Sequence, residues 1–261
     1  MAQLSGVRAV VTGATSGLGA AMADALLEAG ASVAFASRPT GRLDAAVARR
    51  RAAGLAADAL PMDVRDPASV QAAADRVGEV DLVVNNAGIG MRTVNPRFFD
   101  QPMAFFEVPP DRFADVVATN LTGYFLVARA FALRLVARGA GRIVNVSMNH
   151  ETMCRQGFVP YGPARAGAES LSRIMTEDLR PHGVAVNILL PGAATATGMI
   201  PEGLLEEASQ RLLQPEIMGP PIVYLASPDA EGLTGERIVA KDFDQWLAGR
   251  AAARGRGAPP G

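Results

Sequence analysis

Three glycines in the segment TGATSGLG lie where a chain can hold a phosphate group. Gly13, Gly17 and Gly19 follow a short apolar run and open a helical pattern. Glycines let the backbone turn tightly and approach a ligand closely, and the following helix offers free N–H groups and its positive dipole end. The spacing predicts a dinucleotide phosphate site between the first strand and the first helix.

A tyrosine and an arginine in the segment YGPAR form a second chemical pair. Tyr161 and Arg165 stand four residues apart, so they share one face of a predicted helix. A free phenol has a pKa of about 10, and a positive charge beside it favours its ionised form. Arginine supplies the charge but cannot itself pass a proton along, because it stays protonated.

Short apolar runs alternate with longer helical patterns along the chain. Continuous apolar strands between helices are typical of a parallel sheet covered on both faces. We therefore predict one α/β domain over residues 1–249, a doubly wound Rossmann fold with helices on both faces of a mostly parallel, seven-stranded sheet. The predicted strands are Val7–Thr12, Ser32–Ser37, Ala57–Met62, Val80–Asn85, Arg142–Ser147, Val184–Leu190 and Glu236–Ala240.

Helical spacing and two irregular segments complete the predicted organisation. Residues 91–110 are rich in proline and phenylalanine, and such a long loop is either a functional flap or a segment packed on the core. Residues 250–261 are rich in glycine, proline and arginine and are predicted to be disordered. The predicted helices are Leu18–Ala29, Gly41–Ala53, one beginning at Pro67, Arg112–Arg138 and Tyr161–Arg180.

Composition narrows the classes of partner. Lys and Arg number 25 and Asp and Glu 26, for a net charge of -1, which argues against nucleic acid or an anionic membrane as main partner. One cysteine excludes an internal disulfide framework, and two histidines leave little for a metal site. No apolar stretch is judged to approach the roughly 18 residues of a membrane span, and no signal peptide is recognised, so a cytoplasmic location is expected.

Six motifs in order resemble the short-chain dehydrogenase/reductase family. They are TGATSGLG, NNAG at residues 85–88, Asn120, Ser147, Tyr161 and the Pro–Gly pair at 191–192, spread from Val7 to Ala240. The resemblance implies a homotetramer or homodimer in which Asn120, Ser147 and Tyr161 are catalytic. Arg165 stands where that family has a lysine, and it is included in the predicted catalytic set.

The resemblance also implies where a nicotinamide dinucleotide binds. Ser37 ends the second strand, where an acidic side chain would select NAD(H), and Arg38 can pair with a 2′-phosphate, so we predict NADP(H) over NAD(H). Which of Thr195 and Thr197 contacts the nicotinamide stays open. The predicted cofactor-binding residues are Gly13, Thr15, Ser16, Gly17, Leu18, Gly19, Ser37, Arg38, Asp63, Val64, Asn86, Ala87, Gly88, Tyr161, Arg165, Pro191, Gly192, Thr195 and Thr197.

The substrate is predicted to be a small carbonyl or alcohol compound, with Tyr161 as acid or base. Asn149, His150 and Glu151 follow Ser147 and are expected to border it, as are Phe105 and Phe106 of the loop. Two alternatives stay open. The arginine at 165 is compatible with a catalytically impaired, dinucleotide-binding or regulatory homologue. Polar residues at 149–151 would favour a sugar or polyol dehydrogenase, and the aromatic loop counts against one.

Overall fold

The strands of the predicted sheet are confirmed in a computed structural model, which describes residues 3–200 and 212–255. Seven strands pair in parallel in the order β3-β2-β1-β4-β5-β6-β7. The chain runs outward from β1 to β3, then returns to place β4 on the other side of β1. This reversal leaves a crevice at the carboxyl ends of β1 and β4. The strands are β1 Arg8–Thr12, β2 Ser32–Ser37, β3 Ala57–Pro61, β4 Leu82–Asn85, β5 Gly141–Val146, β6 Val184–Leu190 and β7 Arg237–Val239.

Helices cover both faces of this sheet, as predicted. On one face Leu26 and Ile222 belong to the same buried cluster. On the other, Val70 and Phe131 join a second cluster. Two apolar layers explain why the inner strands are apolar on both faces. The helices are α1 Gly17–Glu28, α2 Gly41–Ala52, α3 Pro67–Val77, α4 Pro110–Val117, α5 Gly123–Arg138, α6 His150–Met153, α7 Tyr161–Leu179, α8 Gly219–Ala226 and α9 Phe243–Gly255.

The helix predicted over about Arg112–Arg138 is present, but it is not α-helical throughout. It begins at Pro110, where a proline suits the first turn, and a π-helical turn over Ala118–Thr122 separates α4 from α5. A π turn holds more residues than an α-helical turn, so it rotates α5 relative to α4 while the apolar spacing still looks helical. The turn contains Asn120, which is fully buried.

The same segment corrects the expectation about membrane-length stretches. Pro110–Arg138 is 29 residues long, and its most apolar window has a mean hydropathy of 1.4, enough by length and composition to cross a membrane. Half of that window is buried within the fold. Val127, Phe131 and Leu135 pack in the core there. The apolar side chains of its buried half therefore reflect packing against the sheet.

The prediction that disorder begins at residue 250 is wrong. Helix α9 runs to Gly255, so residues 250–255 are helical, and 256–261 lie outside the described residues. Trp246 stacks on Phe243 with ring centroids 5.8 Å apart. The guanidinium of Arg250 lies over the Trp246 ring and 3.2 Å from a Glu236 carboxylate oxygen. These contacts anchor a segment whose composition alone predicts disorder.

Residues 91–110 divide into a packed part and an exposed part. Phe98 is buried and meets Phe158 edge to face, with centroids 5.8 Å apart. Phe105 and Phe106 are 73% and 77% exposed in a short 3-10 turn over Phe105–Glu107. One part of the loop therefore packs on the core, and the other presents apolar rings to solvent.

Candidate active site

The glycine loop after β1 is pressed against the segment after β4. Gly13 has a φ of +67°, and a Cβ there would lie 2.9 Å from the Cα of Ala87. A Cβ on Gly19 would lie 2.3 Å from the carbonyl oxygen of Gly13. The hydroxyl of Thr12 accepts hydrogen bonds from the N–H groups of Asn86 and Ala87 at 2.9 and 3.0 Å. The predicted loop and the NNAG motif therefore form one backbone cradle.

The start of α1 gives this cradle the chemistry of an anion site. Ser16 occupies the N-cap position without a side-chain capping bond, and the first turn holds no acidic residue. The first N–H groups of a helix have no carbonyl partner within the helix, and its dipole favours negative charge there. Thr15 and Leu18 flank this turn. The loop therefore fits the pyrophosphate of a dinucleotide.

Thr197 is the threonine that the structure brings to the glycine loop. A Cβ on Gly17 would meet the Thr197 methyl group at 3.3 Å. Thr195 is buried, and its segment pairs in parallel with Leu213. Pro191 and Gly192 begin the same connection, with the carbonyl of Pro191 bonded to the N–H of Lys241. The neighbour of the phosphate loop is thus Thr197.

Basic side chains surround the place predicted for the adenosine end. Ser37 ends β2, and Arg38 beside it is exposed. Arg65 donates to both carboxylate oxygens of Asp63, at 3.0 and 2.7 Å. That bond, and more weakly the charge of Arg38, hold the pKa of Asp63 below its ordinary value against the opposing effect of burial. Sequence reasoning missed Arg65, although it lies two residues beyond a predicted site residue.

Val64 and Asn120 support the cradle from behind. A Cβ on Gly123, at the start of α5, would lie 2.9 Å from a Val64 methyl group. The amide of Asn120 accepts from the N–H of Ile89 and donates to its carbonyl, both at 2.9 Å. Asn120 therefore fixes the backbone directly after Gly88.

Arg165 is buried between two tyrosines. Its guanidinium donates to the carbonyl of Val146 at 2.9 Å and to the hydroxyl of Tyr124. Its central carbon lies 5.3 Å from the ring centroid of Tyr161 and 5.2 Å from that of Tyr124. Burial opposes its charge, but the two tyrosines outweigh burial and raise the pKa of Arg165. A Cβ on Gly88 would lie 2.5 Å from its Nη2, so the charge also borders the NNAG segment.

Ser147 leads to a buried carboxylate that sequence reasoning missed. Its hydroxyl donates to Oε1 of Glu169 at 2.6 Å. Glu169 is 5% exposed and also contacts Nε of Arg237 at 3.0 Å and Nε2 of His150 at 3.0 Å. Burial opposes ionisation, but the bonds from Ser147, His150 and Arg237 outweigh it and lower the pKa of Glu169. The available signal was its position eight residues after Tyr161, on the same helix face.

The predicted substrate residues separate into different environments. The Asn149 side chain donates to the carbonyl of Gly192 at 2.8 Å. His150 is exposed and joins Glu169, and Glu151 is exposed. Phe105 borders a cavity beside Met103, Arg155 and Val159. The structure brings His150 to Ser147 through Glu169, and Phe105 to a separate apolar cavity.

Met199 also lies at this site. Its sulfur lies 3.9 Å from the hydroxyl of Tyr161. The same sulfur would lie 3.2 Å from a Cβ on Gly90. Met199 therefore borders the hydroxyl of Tyr161 from the side of the connection after β6. Among the described residues, no group of three or more His, Cys, Asp or Glu side chains is arranged to hold a metal ion.

Comparisons with known proteins match this geometry. A family model described as short chain dehydrogenase matches residues 8–206. Gluconate 5-dehydrogenase of Gluconobacter oxydans is 34% identical over 193 residues, 72% of each chain. A 3-oxoacyl-(acyl-carrier-protein) reductase of Vibrio harveyi is 32% identical over 254 residues, covering 90% of this chain and 96% of its own.

A solved structure shares the whole architecture. The crystal structure of a gluconate 5-dehydrogenase from Burkholderia cenocepacia, in complex with NADP and tartrate, superposes with a TM-score of 0.81 at 29% identity. The match covers 93% of this chain and 97% of the other.

Proposed function

The chain belongs to the short-chain dehydrogenase family and is an oxidoreductase, and we propose that it interconverts an alcohol and a carbonyl compound with NADP(H), using Tyr161 as acid and base. One observation carries this proposal: the Tyr161 ring lies beside the buried guanidinium of Arg165, at the sheet edge that holds the glycine cradle. A hydroxyl that can exchange a proton and a fixed positive charge therefore lie together at this site.

Each residue of the site has one task in this reaction. A bound nicotinamide dinucleotide supplies or accepts the hydride. The hydroxyl of Tyr161 gives a proton to the substrate oxygen in reduction and takes it in oxidation. Ser147 contacts the same oxygen, and Arg165 places a fixed positive charge beside the Tyr161 ring. Asn120 keeps the backbone after Gly88 in place through its two bonds to Ile89.

The preference for NADP(H) rests on charge at the end of β2. Ser37 does not repel a 2′-phosphate, whereas an acidic side chain there would. Arg38 is exposed beside it, and Arg65 adds a second guanidinium at Asp63. Guanidinium groups match phosphate oxygens in charge and geometry. The Burkholderia relative was solved with NADP, which supports this choice.

A sugar acid or polyol is the second candidate substrate. The gluconate dehydrogenases among the relatives support it. The polar group formed by Ser147, His150 and Glu169 supports it too, because hydroxylated substrates need hydrogen-bonding partners. Exposed Phe105 and Phe106 favour an apolar carbonyl compound instead. We further propose a cytoplasmic enzyme.

A fluorescence titration followed by a substrate screen tests the proposal. We expect NADPH to bind more tightly than NADH. The screen pairs each cofactor with gluconate, 5-keto-gluconate, acetoacetyl-CoA, and medium-chain ketones and alcohols. Tyr161→Phe should abolish turnover and leave NADPH binding intact, because the hydroxyl exchanges the proton and the ring only packs. Wild-type protein that binds NADPH without turning over any pair would contradict the catalytic proposal. Turnover by Tyr161→Phe would contradict the role of the hydroxyl.

A further inference from the structure

A continuous hydrogen-bonded chain runs from the candidate active site to the surface. Ser147 is 8% exposed and donates to Oε1 of Glu169 at 2.6 Å. The other oxygen of Glu169 lies 3.0 Å from Nε2 of His150, whose side chain is 62% exposed. A buried hydroxyl, a buried carboxylate and a solvent-facing imidazole thus follow one another within hydrogen-bond distance.

Three other polar groups near Tyr161, among the residues that the structure describes, do not carry a proton outward. Arg165 stays protonated, and both amide atoms of Asn120 are bonded to Ile89. Tyr124 is fully enclosed, and burial raises the pKa of its hydroxyl. Among the described residues that are hydrogen-bonded around this site, Glu169 and His150 are the pair able to take up and release a proton.

We propose that Ser147, Glu169 and His150 form the route by which the reaction's proton travels between Tyr161 and solvent. Glu169 is a positioning and relay residue in this route, and His150 is its outer end. The inference rests on the proposed function, because it needs a reaction that delivers a proton to Tyr161. It adds two residues that act behind the substrate-contacting groups.

The proton balance is simple in the oxidation direction. The C–H bond of the alcohol breaks and its hydride passes to the oxidised nicotinamide, while the O–H proton passes to Tyr161. After the carbonyl product leaves, a water in the place of its oxygen links Tyr161 to Ser147. The proton of Tyr161 shifts along this link to Ser147 as the original Ser147 proton passes to Glu169. The carboxyl group then turns and gives that proton to His150, which releases it to water.

Charged and titratable groups from three elements surround Glu169. Arg237 from β7 and His150 from α6 are the charged or titratable groups that bond it from neighbouring elements, and Arg165 lies one turn earlier on its own helix. The bonds from Ser147, His150 and Arg237 outweigh burial and hold the pKa of Glu169 below its ordinary value, so the carboxylate is ionised between turnovers. Its second oxygen lies within hydrogen-bond distance of the imidazole of His150, which opens to solvent.

The test separates hydride transfer from proton release. Wild type, Glu169→Gln and His150→Gln are mixed with NADP+ and the best alcohol of the screen in weak buffer with a pH-indicator dye. Glutamine still accepts from Ser147 but takes up no proton at neutral pH. His182→Gln is the matched control, because His182 is the other histidine and is exposed in a turn after α7.

We expect each relay variant to release the proton about a hundredfold more slowly than it transfers the first hydride, at the lower end of what a positioned proton carrier contributes. Added imidazole should restore His150→Gln, whose position is open to solvent, and leave Glu169→Gln slow. His182→Gln should match wild type. A melting curve checks that Glu169→Gln folds, and if it does not, His150→Gln with imidazole decides alone.

The outcomes separate the two proposals. Unchanged proton release in the relay variants, with normal wild-type turnover, refutes the relay alone. An equal loss of hydride transfer and proton release also refutes it, because that result indicates a structural role. If wild type shows no hydride burst with any alcohol, the proposed reaction is refuted, and the relay is refuted with it.

Discussion

At the scale of single residues, the arginine at position 165 determines how this site is charged. Its guanidinium bridges the carbonyl of Val146 and the hydroxyl of Tyr124, so it is anchored at two points. Lysine has a compact charge on a flexible stem and does not reproduce a planar fork. At this position arginine therefore supplies a fixed charge beside Tyr161 and does not transfer a proton.

Arg165→Lys should retain turnover within about tenfold of wild type, or exceed it, because the charge stays, whereas Arg165→Met should lose about a hundredfold or more. Steady-state kcat with the best pair of the screen measures both. Arg173→Lys, at an exposed position of the same helix, is the control. Full activity in Arg165→Met would show that the charge is dispensable.

Arg38 is the residue on which the proposed preference for NADP(H) depends. Arg38→Ala should weaken NADPH binding by about tenfold or more, the equivalent of roughly 1.5–3 kcal/mol for a charged hydrogen bond. NADH has no 2′-phosphate, so its binding should change little. Fluorescence titration of both cofactors measures this, with Arg49→Ala on the exposed face of α2 as control. Equal losses for the two cofactors would rule out phosphate recognition.

At the scale of elements, the join between β1 and α1 holds the cradle. Its tightness comes from the close approach of Gly13 to Ala87 as well as from backbone conformation. The π turn between α4 and α5 fixes the segment after β4 from the other side, because it directs the amide of Asn120 onto Ile89.

Gly13→Ala and Gly54→Ala separate these two contributions. Both glycines have a left-handed φ, +67° and +77°, but a Cβ on Gly54 meets nothing within 4 Å. Gly54→Ala should cost about 1–2 kcal/mol of unfolding free energy and leave NADPH binding unchanged. Gly13→Ala should cost more and abolish binding. Denaturant unfolding and cofactor titration measure both, and normal binding by Gly13→Ala would contradict the cradle.

At the scale of the whole molecule, two helices on one side of the sheet expose apolar side chains. Leu133 of α5 is 74% exposed, Phe125 of α5 46%, and Ile174 of α7 57%. Exposed apolar side chains grouped on neighbouring helices mark a contact surface. We propose that this surface joins copies of the chain into a homodimer or homotetramer.

Leu133→Glu combined with Ile174→Glu should shift the protein to a monomer, because a shared symmetric surface would bury each new charge without a partner. Sedimentation velocity measures the change. Phe106→Glu, at an equally exposed ring in the 91–110 loop, should leave assembly intact. A wild type that sediments as a monomer would end this proposal.

The sequence by itself determined the sheet, the glycine cradle and the register of the family motifs. Buried parallel strands appear as continuous apolar runs, and the predicted bounds of β6, Val184–Leu190, are the observed ones. Phosphate loops are also recognisable locally, because their glycines lie within a few residues of each other. A repeating hydrophobic pattern is therefore enough to predict an element whose environment repeats along its length.

Only the tertiary structure decided how charge is arranged behind Ser147. Glu169 is 22 residues from Ser147 and 68 from Arg237, and their contact results from packing α7 across β5 to β7. For the same reason, the sequence alone did not predict the π turn at Asn120 or the helix that extends through Arg250. Side-chain partners across elements leave no period in a single sequence, since their distance along the chain is set by the fold.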